Sequence, residues 1–359
     1  MQNGALQRHL PRVDPDCQPT SGRGAFGNVV TACAIAFVRD LHRRCCNLYS
    51  TNAMRWGTQM RRFLKWVGTI LLVLVIAALG LYALAWRHSE QALARHFQVN
   101  DPPLEIVRDP ASIEHGHHLF ATRGCQDCHG ANGVGHLVFD AGPVIHLVAP
   151  NITSHGLGTR YDADKLAAAI RHGVRADGTG LIFMPATDYA NLDDADTAAL
   201  VAYVQSLPPS TNDPGRLEVR FLARVLYLFD KFPLLSAEHI DHAPRQRAAP
   251  VEAATVAYGE YLSHGCTGCH GDDLAGQRIP GTPPSIPPAA NLTPHANGLR
   301  DWKVEDFLRV MHEGKKPDGS NVDKIMPWQS IGHMSDTELQ ALWLYLRQLP
   351  ARPGIAASH

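Results

Sequence analysis

Two five-residue stretches hold the residues that could do chemistry here. Cys125-Gln126-Asp127-Cys128-His129 and Cys266-Thr267-Gly268-Cys269-His270 repeat one pattern at an offset of 141 residues. Two intervening residues let one helical turn present both sulfurs to the same ring, and the next residue, histidine, falls below the ring's centre. That set attaches a porphyrin covalently: the thiols add across its vinyl groups as thioethers and the imidazole supplies an axial nitrogen to iron. A zinc site would need two further ligands, and each repeat has only two cysteines. A redox-active CxxC belongs in a βαβ setting, which the surrounding sequence lacks. The candidate haem-binding residues are therefore Cys125, Cys128, Cys266 and Cys269, with His129 and His270 as iron ligands.

The second axial ligand follows from the same repeat. Met184 precedes Pro185, and Met326 precedes Pro327, at an offset of 142. The spacing predicts these two methionines as the opposite ligands. Met311 and Met334 align with Ile170 and Leu192 and read as core or surface residues. Among the 20 histidines, His155 and His295 repeat in register, and beside an Asn-x-Thr pair they suit propionate or surface roles. Asn151, Thr153 and Arg160, matched by Asn291, Thr293 and Arg300, either donate to haem propionates or shape a turn. Both readings stay open on sequence alone.

The elements that must hold these residues also repeat. Ala149-Pro150-Asn151-Ile152-Thr153 parallels Ala289-Ala290-Asn291-Leu292-Thr293, and Gly158-Thr159-Arg160 parallels Gly298-Leu299-Arg300. Each unit predicts a short helix before CxxCH (from Gly116 and Gly259), a middle helix after Asp162 or Asp301, and a last helix closed by Pro208 or Pro350. Gly173 and Gly314 are predicted C-caps, and Ser335-x-x-Glu338 is a capping box. Little of either unit shows strand alternation. Two mainly helical domains are expected, over 105–210 and 250–352. Between them, 211–249 is a linker whose amphipathic helix carries a stripe of Leu217, Phe221, Val225 and Leu228 beside Arg216, Arg220 and Arg224; it is expected to pack on a haem domain, the alternatives being the membrane surface or a partner subunit.

Residues 67–86 form an uncharged run of 20 residues bracketed by Trp66 and Trp86, the length and flanks of a transmembrane helix, assigned to 64–86. Arg55, Arg61, Arg62 and Lys65 put its N-terminal side in the cytoplasm. Ala83-Leu84-Ala85 fits a signal-peptidase site, but the run exceeds a usual signal core, so a retained anchor is expected. Residues 1–53 contain Cys17, Cys33, Cys45 and Cys46 without framework spacing and precede a segment with its own basic flank. Translation is expected to start at Met54 or Met60, the alternative being a small cytoplasmic tail whose cysteines stay reduced. The balance of 33 basic and 34 acidic residues, net charge −1, offers no basic excess for nucleic acid.

With CxxCHG, Asn-[Ile/Leu]-Thr and a later Met-Pro in each unit, the sequence resembles tandem class I cytochrome c domains. It is similar to the cytochrome c subunits of membrane-bound alcohol, aldehyde and gluconate dehydrogenases. Those subunits commonly carry three haems, where this chain has two CxxCH motifs, and Met184-Pro-Ala departs from Met326-Pro-Trp. The resemblance implies a mainly α fold with two covalent haem c groups and one-electron transfer rather than catalysis. It implies a bacterial inner-membrane protein whose haem domains face the periplasm, relaying electrons from a donor such as a dehydrogenase to the respiratory chain. A dihaem peroxidase and the dihaem subunit of a terminal oxidase are the alternatives.

Overall fold

Proline is absent between Pro19 and Pro102, so nothing interrupts a helix through the apolar run. In the computed structural model α1 spans Val29–Leu93, well beyond the 20 apolar residues on both sides. The structure describes residues 29–157, 160–283 and 285–355, without the side chains of 29–36 and 45–58. Residues 1–28 with Cys17, the side chains of Cys33, Cys45 and Cys46, and Gly158 and Thr159 of the repeated loop lie outside what is described. The chain divides into two units, residues 1–76 and 77–359. One helix among the described residues, Gln59–Leu93, is long and apolar enough to cross a membrane.

The second unit holds both repeats, and the description that follows is of it. In the first repeat the order is α2 (Pro110–Thr122), α3 (Cys125–His129), β1 (His136–Asp140), β2 (Ile145–Ala149), α4 (Ser154–Leu157), α5 (Ala163–His172), α6 (Ala186–Tyr189) and α7 (Asp194–Ser206). A connecting segment follows with β3 (Glu218–Val219) and α8 (Phe221–Leu228). The second repeat contains α9 (Val256–Ser263), α10 (Thr267–His270), α11 (Val304–Glu313), α12 (Trp328–Ile331) and α13 (Asp336–Gln348).

Local signals explain the helix ends. Asp109, Asp162 and Asp193 accept backbone N–H bonds at the N-caps of α2, α5 and α7. Ser335 and Glu338 form the capping box of α13. The middle helix of the second repeat instead starts at Lys303, where Asp306 closes back onto the cap, two residues beyond Asp301. Gly173 and Gly314 end their helices at φ of 63° and 66°, a left-handed conformation that glycine adopts without strain.

First and last helices of each repeat cross at a glycine. A Cβ on Gly116 would overlap the Ala199 carbonyl of α7, and one on Gly259 the Ala341 carbonyl of α13. The backbones touch there because no side chain intervenes. Around both crossings runs a single core, including Leu119, Phe120, Leu200, Val201, Leu262, Phe307, Leu339 and Leu342.

Two sequence expectations change. The segment between CxxCH and Asn151 forms the strands β1 and β2, not irregular chain, and β3 of the connecting segment adds to them in a three-stranded antiparallel sheet of order β1-β2-β3. His136–Ala149 is rich in β-branched and aromatic residues around a Gly142-Pro143 turn. The matching stretch of the second repeat carries Pro280, Pro283, Pro287 and Pro288, which cannot donate to a ladder, and it forms no strand among its described residues. The predicted stripe of the connecting helix is also turned round. Ala223, Arg224 and Tyr227 are its buried residues, while Phe221 is 54% exposed. Arg224 can be inside because it is paired: it bonds Ser89 Oγ at 2.6 Å and Glu90 at 2.7 Å, and its guanidinium lies 3.8 Å from the Trp86 ring centre. The helix packs with the end of α1 and with β2 through Ala92, Ile145, Leu147, Phe232, Leu234 and Leu235.

Candidate functional site

α3 presents Cys125, Cys128 and His129 within five residues, between Gly124 at φ 73° and Gly130 at φ 76°. In the second repeat a 3₁₀ turn, His264–Cys266, leads into α10, and Gly271 at φ 84° ends it. Both motifs then close the same loop: Gly135 N–H donates to the His129 carbonyl, and Gly276 N–H to the His270 carbonyl, each at 2.9 Å.

Each histidine is fixed through one nitrogen. His129 Nδ1 lies 3.0 Å from the Pro150 carbonyl, and His270 Nδ1 lies 2.7 Å from the Ala290 carbonyl. A carbonyl only accepts, so each Nδ1 carries the proton and each Nε2 keeps a free lone pair, the tautomer an iron ligand requires. Burial lowers the pKa of both imidazoles and keeps them neutral. Burial also pushes the Cys125 thiol up to about 12 and Cys266 up to about 11, and raises Cys128 and Cys269. These are protonated thiols in an apolar setting, unlike the low-pKa thiolates of redox-active pairs.

Met184 and Met326 have matching backbones. Pro185 and Pro327 share φ near −80° and ψ near 55°, and the residues after them, Ala186 and Trp328, each donate N–H to the preceding methionine carbonyl at 2.8 Å. That inverse γ-turn aims both side chains the same way. All eight predicted site residues, Cys125, Cys128, His129, Met184, Cys266, Cys269, His270 and Met326, line one continuous cavity of about 1500 Å³. A single small-molecule site typically encloses roughly 300–1,000 Å³. The volume, the apolar walls and the pairing of an Nδ1-locked imidazole with a thioether in each repeat fit two covalently held haems. Met311 and Met334 are buried in the core and border the same cavity.

The Asn-x-Thr positions resolve as turns. Asn151 Oδ1 accepts from the N–H and hydroxyl of Thr153, and its amide donates to the carbonyls of Ser210 and Asn212. Asn291 does the same with Thr293 and Arg352. Each pair ties the loop to the chain leaving the last helix, with its donors already used. Arg300 pairs with Asp301, whereas Arg160 lines the cavity. His155 is exposed and His295 bonds Asn297. Of the further cavity cations that sequence reasoning missed, Arg123, Lys165, Arg175 and Lys316, the last two match at the 141-residue offset. The signal was present: Arg175-Ala-Asp-Gly-Thr and Lys316-Pro-Asp-Gly-Ser follow the capping glycines. Both form the same tight turn, with Arg175 N–H bonded to the Thr179 carbonyl and Lys316 N–H to that of Ser320.

The two repeats face each other reciprocally. His118 of α2 bonds Glu338 of α13 at 2.9 Å, and Tyr261 of α9 donates to Asp196 of α7 at 2.5 Å. Ser330 of α12 donates to Asp127 of α3 at 2.7 Å, while Asp188 of α6 lies against Gly268 of α10, where an added Cβ would sit 2.7 Å from its Oδ1. Each repeat thus sets its post-methionine helix on the other's CxxCH helix. This brings both motifs to the inner side of the pair, which is why one cavity serves both.

Comparison with known proteins agrees with this geometry. The cytochrome c family model matches the chain twice, over residues 113–208 and 256–350, more than half its length, and the chain belongs to that family of electron-transfer haem proteins. Among its relatives, the fructose dehydrogenase cytochrome subunit of Gluconobacter japonicus is 26% identical over 284 residues, 67% of this chain and 53% of that one. A diheme cytochrome c-type protein of Cereibacter sphaeroides is 28% identical over 273 residues, 66% of this chain and 85% of its own. The gluconate 2-dehydrogenase cytochrome c subunit of Pantoea cypripedii is 27% identical over 282 residues, 67% and 60%. The chain spans only a little over half the length of these two dehydrogenase subunits.

Proposed function

We propose that this chain is a membrane-anchored dihaem cytochrome c that relays single electrons between a periplasmic donor, such as a dehydrogenase, and the respiratory chain. The observation that carries this reading is the shared cavity, lined by both CxxCH motifs and both Met-Pro methionines. The domains are 105–210 and 250–352, joined by the 211–249 linker, with 64–86 as the anchor. When bound, haem c supplies an iron that changes by one electron between ferric and ferrous. Cys125 and Cys128 hold the first ring, and Cys266 and Cys269 the second. His129 and His270 would supply imidazole nitrogens to the iron, and Met184 and Met326 thioether sulfurs, which favour the reduced state. With an imidazole and a thioether from the chain at each iron, small molecules would be kept off it. Arg175 and Lys316, with Arg160, place positive charge in the cavity where ring carboxylates need partners.

The basic cluster before the apolar run supports an inner-membrane location with the haem domains in the periplasm. Relatives named as dehydrogenase subunits, and the CcoP subunit of a cbb3-type oxidase from Helicobacter pylori, 27% identical over 119 residues, support redox proteins as partners. The test is mass spectrometry and redox titration of the purified holoprotein. Two covalent haem masses are expected. Met326→His should lower the potential of one centre and leave the other in place. A holoprotein without both masses, or one with robust peroxide turnover, would falsify the relay.

A further inference from the structure

The connecting helix α8, Phe-Leu-Ala-Arg-Val-Leu-Tyr-Leu, has only two polar side chains, and both point inward. Arg224 is 7% and Tyr227 9% exposed, whereas Phe221 at the start and Phe229 just past the end are each 54% exposed. Leu222, Val225 and Leu228 are partly exposed. At about 100° per residue, Phe221, Leu222, Val225, Leu228 and Phe229 share one side of the helix, with Ala223 and Tyr227 opposite and Arg224 at its edge. A helix facing water shows the reverse.

The inward polar groups fix where this face lies. Arg224 stacks on Trp86 and bonds Ser89 and Glu90, so it clamps α8 to the end of the apolar run in α1. Tyr227 packs on His88, with ring centres 5.3 Å apart, and donates to Glu238, which pairs with Arg95. Phe221 and Leu228 lie about one turn to either side of Arg224, the residue that stacks on Trp86. Trp86 is the tryptophan at the end of the uncharged run, a residue type that settles at the headgroup level. Exposed Arg216 and Lys231 flank the helix beside exposed Glu218 and Asp230, a mixed charged border of the kind that sits in a headgroup layer, so the apolar face rather than net charge carries the contact.

We propose that the outward face of α8 lies in the lipid headgroup boundary of the bilayer that α1 crosses, forming a second, interfacial membrane contact. This rests on the anchoring of α1 proposed above. Arg224 and Tyr227 act as positioning residues that hold the helix at that depth, and Phe221, Val225 and Phe229 enter the acyl boundary.

The test uses the full-length holoprotein in nanodiscs of phosphatidylethanolamine and phosphatidylglycerol. A photoreactive benzophenone side chain replaces Phe229, Leu84 or Leu344 in turn, and adducts are identified by mass. Leu84 reports on the anchor, and Leu344, an exposed leucine of α13, on non-specific contact. Lipid adducts at positions 84 and 229 and none at 344 are expected. Adduct at 84 without adduct at 229 overturns the interfacial contact and leaves the anchor standing. Loss of adduct at both overturns the two together, and equal adduct at 344 removes the specificity claimed for α8. The same probe in native membranes must also label lipid at 229, and a protein adduct there would mean that a partner chain covers this face.

Discussion

Asp188 offers a test of the inter-repeat contact through a single proton. It lies on α6, lines the shared cavity and sits against Gly268 of α10. Burial pushes its carboxyl up to about 7 from 3.8, only partly offset by a hydrogen bond with Thr187. A carboxyl raised in the folded state is most stabilising when protonated. Its contribution is complete below 3.8 and is lost as pH rises to about 7, because the unfolded chain ionises first. The full displacement corresponds to about 4 kcal/mol, at about 1.4 kcal/mol per tenfold change in equilibrium constant. Asp188→Asn has no proton to lose, so its stability relative to the parent should climb with pH. The linkage gives a relative gain of about 2 kcal/mol at about pH 5 and about 4 kcal/mol above pH 8, the latter a ceiling because water entering the cavity would soften it. The assay is denaturant unfolding of parent and variant holoprotein, both fully reduced so that iron charge stays constant. A stability difference unchanged between the two pH values would refute a protonated, buried Asp188 and with it the tight α6–α10 contact.

Two further outcomes follow from the same packing. Gly259→Ala should destabilise the fold by about 3 kcal/mol, since its methyl would overlap the Ala341 carbonyl where α9 crosses α13; urea unfolding measures it. Glu338→Gln should cost about 2 kcal/mol by weakening both the α13 capping box and the bond from His118. Burial opposes ionisation of Glu338, yet the hydrogen bonds from His118 and Ser335 hold its pKa below the ordinary value, while the bond to Glu338 lifts His118 above 6.5. Charged His118 stabilises below 6.5 and ceases to as pH rises through its elevated value, so the cost of Glu338→Gln should be largest near pH 5–6 and shrink in alkali. Unfolding across a pH series checks that sign.

Much of the fold was legible because it rests on short-range rules. Asp162, Gly173, Gly314 and the Ser335–Glu338 box mark helix ends through bonds to neighbouring backbone, so the residues that form them lie within a few positions of one another. The sheet was not legible because its strands are short and show little alternation. His136–Ala149 and its equivalent have nearly equal lengths, and only the prolines of the second copy distinguish strand from irregular chain. The orientation of α8 was not readable either. An arginine at position 224 reads as solvent-facing until Trp86, Ser89 and Glu90, about 135 residues earlier, are seen to receive it.

The amino-acid order alone marked out the cysteines proposed for ring attachment, the following histidines and the two Met-Pro pairs, since covalent tethering and ligation of an iron would demand particular atoms at short, fixed spacings. It could not determine how the halves meet. That depends on contacts such as Asp127 with Ser330 and His118 with Glu338, separated by 203 and 220 residues. Only the folded chain decides that the two motifs share one cavity, because complementarity between distant surfaces is a property of their shapes rather than of any local pattern.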